Sequence, residues 1–216
     1  MSKIRYRCRL VLIAPDIEHA SERASIVGEA LRGGDVATVI VPGYGRSDDD
    51  FQRHAEALVP VIQAAGAAAL IVGDSRIAGR AKADGMHIDG PLAELTDAVE
   101  KFRPKLIVGA GRVADRHQAL EVGDLDPDYV FFGKIGGDVK PEPHPKNLAL
   151  GEWWASMVSI PCIVMGGTDP ASVLAIAETG SEFAALSTAV FSEPGRAAIV
   201  VAQVNALLDE KAPRFE

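Results

Sequence analysis

One alternation, repeated eight times, constrains this chain more than any other feature. A short apolar run is followed by a turn rich in Gly, Pro or Asp and then by an amphipathic stretch. The runs Leu10 to Ala14, Val36 to Val41, Ala67 to Val72, Gly85 to Ile88, Lys105 to Val108, Tyr129 to Phe132, Pro161 to Met165 and Phe183 to Leu186 read as strands one to eight. Helices are predicted over Glu18 to Arg32, from Ser47 and Asp48 onward, from Ser75 to Ala83, over Leu92 to Phe102, Ala114 to Val122 and Leu148 to Val158, up to Gly180, and over Gly195 to Asp209. Strands that alternate with helices require a parallel sheet, because each crossover returns the chain to the same edge. Eight units in 216 residues is roughly 27 residues each, enough for a small (β/α)8 barrel. An open, doubly wound sheet normally has five or six strands and a glycine fingerprint after strand one, where this chain has Ala14-Pro15-Asp16. No linker-like change in composition divides the chain. The expectation is α/β class: a single (β/α)8 TIM barrel domain over residues 1–216.

Composition narrows the partners. The 48% hydrophobic and 24% charged content is that of an ordinary globular protein. No apolar run approaches the roughly 20 residues that span a bilayer, so no membrane role is expected. The start, MSKIRYRCRLVLIAP, is basic and then apolar, but its apolar run is short and no small-residue cleavage site follows, so it reads as strand one rather than a secretory signal. Cys8 and Cys162 lie in or beside apolar runs and read as buried thiols of a cytoplasmic protein. A net charge of −8 argues against nucleic-acid binding while leaving room for a local basic pocket.

In a barrel, chemistry gathers where strands end. Those positions hold Asp16, Tyr44, Arg46, Asp74, Arg76, His87, Asp89, Arg112, Lys134, Lys140 and His144. Several cations at the mouth of an acidic protein suit an anionic, phosphorylated small-molecule ligand. After strand seven come Gly166-Gly167 and after strand eight Ser187-Thr188, where exposed backbone N–H groups commonly hold a phosphate. Asp74 reads either as a Mg2+ ligand or as the N-cap of the next helix. His87 reads either as an acid–base group or as a hydrogen-bonded structural histidine. The pair Trp153-Trp154 reads either as helix packing or as part of an interface in a homo-oligomer. No G-x-S-x-G, P-loop or zinc spacing is present.

The motifs carry a resemblance. Ala83-Asp84-Gly85-Met86-His87-Ile88 resembles the A-D-G-V-H-L strand of the thiamine phosphate synthases and their sister group, the thiazole tautomerases. Asp128 to Gly133 is similar to their strand six, Ile160-Pro161 through Gly166-Gly167 to their I-P-hydrophobic-I-G-G, and Gly180 to Val190 to their strand eight. In the synthases, the ring nitrogen of a thiazole phosphate displaces pyrophosphate from hydroxymethylpyrimidine diphosphate. The resemblance implies that Gly166, Gly167, Ser187 and Thr188 hold the thiazole phosphate. It also implies that Lys140 is the lysine of the strand-six loop, that His87 is a catalytic candidate, and that Asp74 is a ligand of Mg2+.

The chain also departs from that pattern. The strand-two motif Q-x-R-x-K, which grips the pyrimidine diphosphate, falls on Val39 to Tyr44, leaving Arg46 as the nearest cation. The position of the second metal aspartate falls on Leu92, with Asp89 nearby. The strand-five motif G-x-S becomes Gly109-Ala110-Gly111. Arg112 follows in the Gly-Arg start of the tautomerase segment, whose histidine is displaced two residues, to His117. The expected function is a synthase-like transferase of thiamine biosynthesis with a degraded diphosphate grip. The alternatives are a tautomerase-type isomerase or a non-catalytic phosphate-ligand-binding barrel.

Overall fold

The computed structural model describes residues 6–215; residues 1–5 and 216, which the single-domain expectation includes, lie outside it. Eight strands close into a parallel barrel in sequence order: β1 (Arg9–Ile13), β2 (Val36–Val41), β3 (Ala68–Val72), β4 (Gly85–Ile88), β5 (Ile107–Ala110), β6 (Tyr129–Phe132), β7 (Cys162–Met165) and β8 (Phe183–Leu186), which pairs back with β1. Around them run α1 (Ala20–Leu31), α2 (Asp48–Ala64), α3 (Ser75–Ala81), α4 (Leu92–Phe102), α5 (Arg116–Gly123), α6 (Pro145–Met157), α7 (Val173–Glu178), the short α8 (Thr188–Phe191) and α9 (Ala197–Lys211). A two-residue antiparallel ribbon, Tyr6–Arg7 with Arg214–Phe215, lies outside the barrel. The (β/α)8 barrel read from the alternation is the observed fold.

Alternation along each strand sorts the core into two layers. Val11, Ile13, Ile40, Leu70, Tyr129, Phe131, Ile163, Met165 and Ala185 fill the barrel. Their neighbours, such as Leu10, Leu12, Val39, Ile71, Val130 and Val164, pack outward with the helices. The two thiols are buried, and that burial pushes both Cys8 and Cys162 up to about 12, so they stay protonated.

Four acids, one before each even strand, pin the neighbouring odd strand at the bottom of the barrel. Asp35, preceding β2, forks onto Arg9 of β1 at 2.6 and 2.9 Å. Asp84, preceding β4, accepts from the Ala69 N–H of β3 at 2.8 Å. Asp128, preceding β6, accepts from Val108 of β5 at 2.8 Å, and Glu182, preceding β8, accepts from Cys162 of β7 at 2.9 Å. The acids of the A-D-G-like motifs therefore fix strand register. They sit at the stability face, away from the loops where barrel chemistry occurs.

The terminal ribbon and α8 were not expected, and two boundaries differ from the sequence reading for a reason the structure shows. β5 begins at Ile107, not Lys105, and includes Gly109 and Ala110, which pair with His87 and Ile88. The glycine belongs in the strand because a Cβ at Gly109 would fall inside the Tyr129 ring. α6 starts at Pro145, three residues earlier than expected, because the His144 ring accepts from the Lys146 N–H and proline suits the first helical turn. Trp154 is buried, donates to the Ile160 carbonyl at 2.7 Å and packs edge-on against Phe132. It is a packing residue of α6, and Trp153 is flanked by Trp154 and the Arg116 guanidinium.

His87 points into the barrel, with no solvent exposure. It stacks on Tyr129, meets Phe131 edge-on, and shares a 2.8 Å hydrogen bond between its Nδ1 and the Tyr129 hydroxyl. Burial pushes its pKa down to about 4, so the ring is neutral near pH 7.

Two outcomes follow for stability. Replacing Asp128 by Ala removes the acceptor of a strand N–H and should cost about 1–3 kcal/mol in urea unfolding, with Asp128→Asn costing less. The unfolded chain, with an ordinary imidazole, binds the His87 proton at higher pH than the folded one. Stability should therefore fall as pH drops from about 6.5 toward 4, by up to about 3 kcal/mol from this group. A His87→Gln variant should show a flatter stability profile across that window; an unchanged slope would contradict the assignment.

Candidate active site

The loops after β7 and β8 carry the glycine and hydroxyl pairs, and the structure shows what their N–H groups bind. Gly166 N–H donates to the Ala185 carbonyl at 2.9 Å and Gly167 N–H to the Ser172 hydroxyl at 3.0 Å. The Ser187 hydroxyl donates to the Ile13 carbonyl at 3.0 Å. Thr188 N–H, at the start of α8, donates to the Asp138 carboxylate at 2.6 Å. Asp138 comes from the loop between β6 and α6 and is only 5% exposed, whereas its neighbours Val139 and Lys140 are exposed.

That loop is latched across the mouth. Thr168 N–H donates to the Lys140 carbonyl at 2.7 Å and Asp169 N–H to the Pro141 carbonyl at 3.2 Å. A Cβ on Gly167 would collide with the Pro141 carbonyl, so this glycine is needed for the loop to lie down. Gly166-Gly167 and Ser187-Thr188 thus lie on neighbouring loops, joined through Ala185 and the loop after β6. Gly166 and Gly167 have their N–H groups satisfied within the chain, and Thr188 already holds an oxyanion from the chain itself. Lys140 contributes a backbone carbonyl to the latch, and its exposed side chain does not line the large cavity beside it.

That cavity, about 580 Å³, opens beside the latch between the loops after β4, β5, β6 and β7 and the start of α6. Asp89, Arg112, Lys134, His144 and Lys146 supply its charged or titratable groups, and Val113 and Met165 supply apolar surface. Arg112 has a left-handed backbone, φ 57°, uncommon for a non-glycine residue. Partial burial raises the Asp89 carboxyl above the ordinary range, against the pull of Arg112 and Lys134. His87 does not line this cavity. Its Nε2 is buried without a hydrogen-bond partner and abuts Gly111, where a Cβ would fall 2.6 Å from it. The ring is bonded to Tyr129, and its other nitrogen is kept from solvent.

On the other side of the mouth, the cations are already committed. Arg46 donates to the Ile17 carbonyl at 2.6 Å, to the Gly43 carbonyl at 3.2 Å and to His54, and it pairs with Asp16 at 2.7 Å. It ties the loops after β1 and β2 together. Arg23, fully buried and absent from the sequence-based candidates, donates to the Pro42 carbonyl at 2.9 Å and lies over the Tyr44 ring. Burial, with Arg46 nearby, pushes it down to about 10. The open surface here is lined by Asp16, Glu18 and Asp50 against Arg46, a poor setting for a diphosphate.

Asp74 is the N-cap of α3. One oxygen accepts from Arg76 N–H at 2.8 Å and Ile77 N–H at 3.1 Å, and the other meets the Arg76 guanidinium at 3.1 Å. Partial burial works to raise its carboxyl, but those donors hold it below the usual range. The second oxygen has that one partner and keeps acceptor capacity. Among the described residues, no three His, Cys, Asp or Glu side chains gather as metal ligands. Mg2+ shared with substrate phosphates needs only one or two carboxylates, and Asp74 is the residue that would hold it here. Asp138 and Lys146 were missed in the sequence; the only hint was a run of turn residues with alternating charge, GKIGGDVKPEPHPK.

Comparison with known proteins agrees with the geometry of the barrel. The family model described as thiamine monophosphate synthase matches residues 10–190. The thiamine-phosphate synthase of Rhodospirillum centenum is 30% identical over 204 residues, covering 93% of this chain and 98% of the relative. That of Erythrobacter litoralis is 36% identical over 155 residues, covering 68% and 73%. Among solved structures, the thiamine phosphate pyrophosphorylase from Pyrococcus furiosus superposes with a TM-score of 0.75 at 21% identity, covering 94% of this chain and 96% of that one. With a matching model over most of its length and a nearly full-length relative at 30% identity, the chain belongs to the thiamine monophosphate synthase family.

Proposed function

We propose that this chain is a thiamine-assembly enzyme that seats a thiazole phosphate on the Ser187-Thr188 loop and joins it to hydroxymethylpyrimidine diphosphate. One observation carries the reading: the Asp138 carboxylate on the Thr188 N–H. An N–H at a helix start that holds a buried carboxylate is a donor suited to an oxyanion. A phosphate ester takes the place of Asp138 when the latched loop lifts. The thiazole nitrogen then forms a bond to the pyrimidine methylene carbon while the carbon–oxygen bond to the diphosphate breaks. The bonding electrons leave with pyrophosphate. Cationic side chains at the mouth stabilise that leaving charge, together with any Mg2+ that the diphosphate and Asp74 would share.

A second reading has its own support. β2 ends in Val39 to Val41 without a cation, and Arg46 is spent on loop carbonyls. That favours an isomerase acting on the thiazole phosphate alone, where no diphosphate needs holding. Mixing the purified protein with thiazole phosphate, hydroxymethylpyrimidine diphosphate and Mg2+ separates the two. Synthase activity yields thiamine phosphate and pyrophosphate in equal amounts. Binding of thiazole phosphate without turnover would sink the condensation.

Asp138 supplies the sharper test of where the phosphate sits. If it competes with the ligand, Asp138→Ala should tighten thiazole phosphate binding about tenfold, as expected when one charge-assisted hydrogen bond is no longer displaced. Calorimetric titration reads this directly. Unchanged or weaker binding would mean that the phosphate does not use Thr188.

A further inference from the structure

The interior of the barrel is not filled at its base. A cavity of about 220 Å³ lies among the starts of the strands, at the end opposite the loops that carry Ser187 and Thr188. Strand register explains the space. His87 points into the barrel and Met86 packs outward, so the inward position below them on β4 is Gly85. Gly85 stands level with Leu70 of β3 on one side and Ile107 of β5 on the other, and both of those side chains line the cavity. Between them, β4 contributes no side chain. The gap cannot be closed from β4, because a Cβ on Gly85 would collide with the Ile107 carbonyl.

The walls are apolar. Val11, Leu70 and Ile163 are buried side chains of the inner layer, and the rings of Tyr129 and Phe183 complete the lining on the β6–β8 side. The polar groups at this height are mostly engaged. One Asp128 oxygen accepts from the Val108 N–H, and the other pairs with Arg103 at 3.1 Å. The Tyr129 hydroxyl is bonded to His87. Thr38 adds a neutral hydroxyl. No uncompensated charge faces the space, so an ion entering it would lose hydration with nothing to replace it. An apolar cavity of about 150 Å³ is already large enough to hold a benzene ring. The space here admits one ring and a small substituent.

We infer that this basal cavity is a binding site for a neutral, single-ring aromatic molecule, seated against Tyr129 and Phe183 with its substituent toward Thr38. The site is separate from the barrel mouth and does not rest on the thiamine-assembly reading. Tyr129 is both a wall of the cavity and the hydrogen-bond partner of His87, so the His87 ring reports on an occupant it does not touch.

Phenol is the probe, titrated into the full chain and followed by NMR through the ring signals of Tyr129, Phe183 and His87. Saturable shifts of all three are expected, with benzoate and benzylammonium binding about tenfold or more weakly, because a charge cannot be solvated there. Thr38→Leu and Ile107→Phe fill the cavity from partly exposed positions. Each should weaken phenol binding about tenfold or more and leave thiazole phosphate affinity unchanged. Circular dichroism confirms that each variant folds. No saturable shift at Tyr129 and Phe183, or wild-type phenol binding in both folded variants, would overturn the basal site and leave the Thr188 reading standing. Benzoate or benzylammonium binding as tightly as phenol would overturn the neutral ligand class. Phenol binding that both variants weaken, in a protein that fails to bind thiazole phosphate, would support the basal site and count against the proposed reaction.

Discussion

The four carboxylates at the bottom of the barrel set the constraint on which the rest depends. Asp35, Asp84, Asp128 and Glu182 each reach back from an even strand to the start of the odd strand before it. A slip of one residue would turn every interior side chain outward. With register held, Tyr129, Phe131 and His87 meet inside the barrel, and Gly109 and Gly111 leave the room they need. The strand ends then stop at defined heights, and the loops above them are placed by the strands below. The acid before a strand, found in two of the motifs that carry the family resemblance, is thus part of the scaffold.

The mouth divides electrostatically. On the β1–β2 side, Arg46 and Arg23 hold backbone carbonyls and leave an acidic surface. On the β5–β6 side, Arg112, Lys134 and Lys146 line one cavity with a single carboxylate. Between them lies the loop after β6, whose Asp138 carboxylate rests on Thr188. A chain with net charge −8 thereby keeps a local positive region, and the surrounding acidity makes that region more selective for where an anion settles.

The barrel was legible in the sequence because hydrophobic alternation and turn residues are local signals, and eight of them agreed. Boundaries failed where a distant residue decides. The length of β5 depends on Tyr129, twenty residues away, and the start of α6 depends on a histidine cap that composition alone does not announce. The glycine and hydroxyl pairs were found because their spacing follows the strands. Their hydrogen-bond partners were not, since Asp138 and Pro141 reach them through folding rather than through proximity in the chain. Arg46 illustrates the same limit. Its position at a strand end is correct, but its guanidinium is consumed by Ile17, Gly43 and Asp16, which no reading of spacing reveals.

The account places a phosphate on the Thr188 N–H, a position covered at present by the chain's own carboxylate. A crystal structure with thiazole phosphate bound tests this most directly. The account predicts the phosphate on the Thr188 N–H with Asp138 swung away. Asp138 still seated on Thr188, with the ligand bound elsewhere, would contradict it.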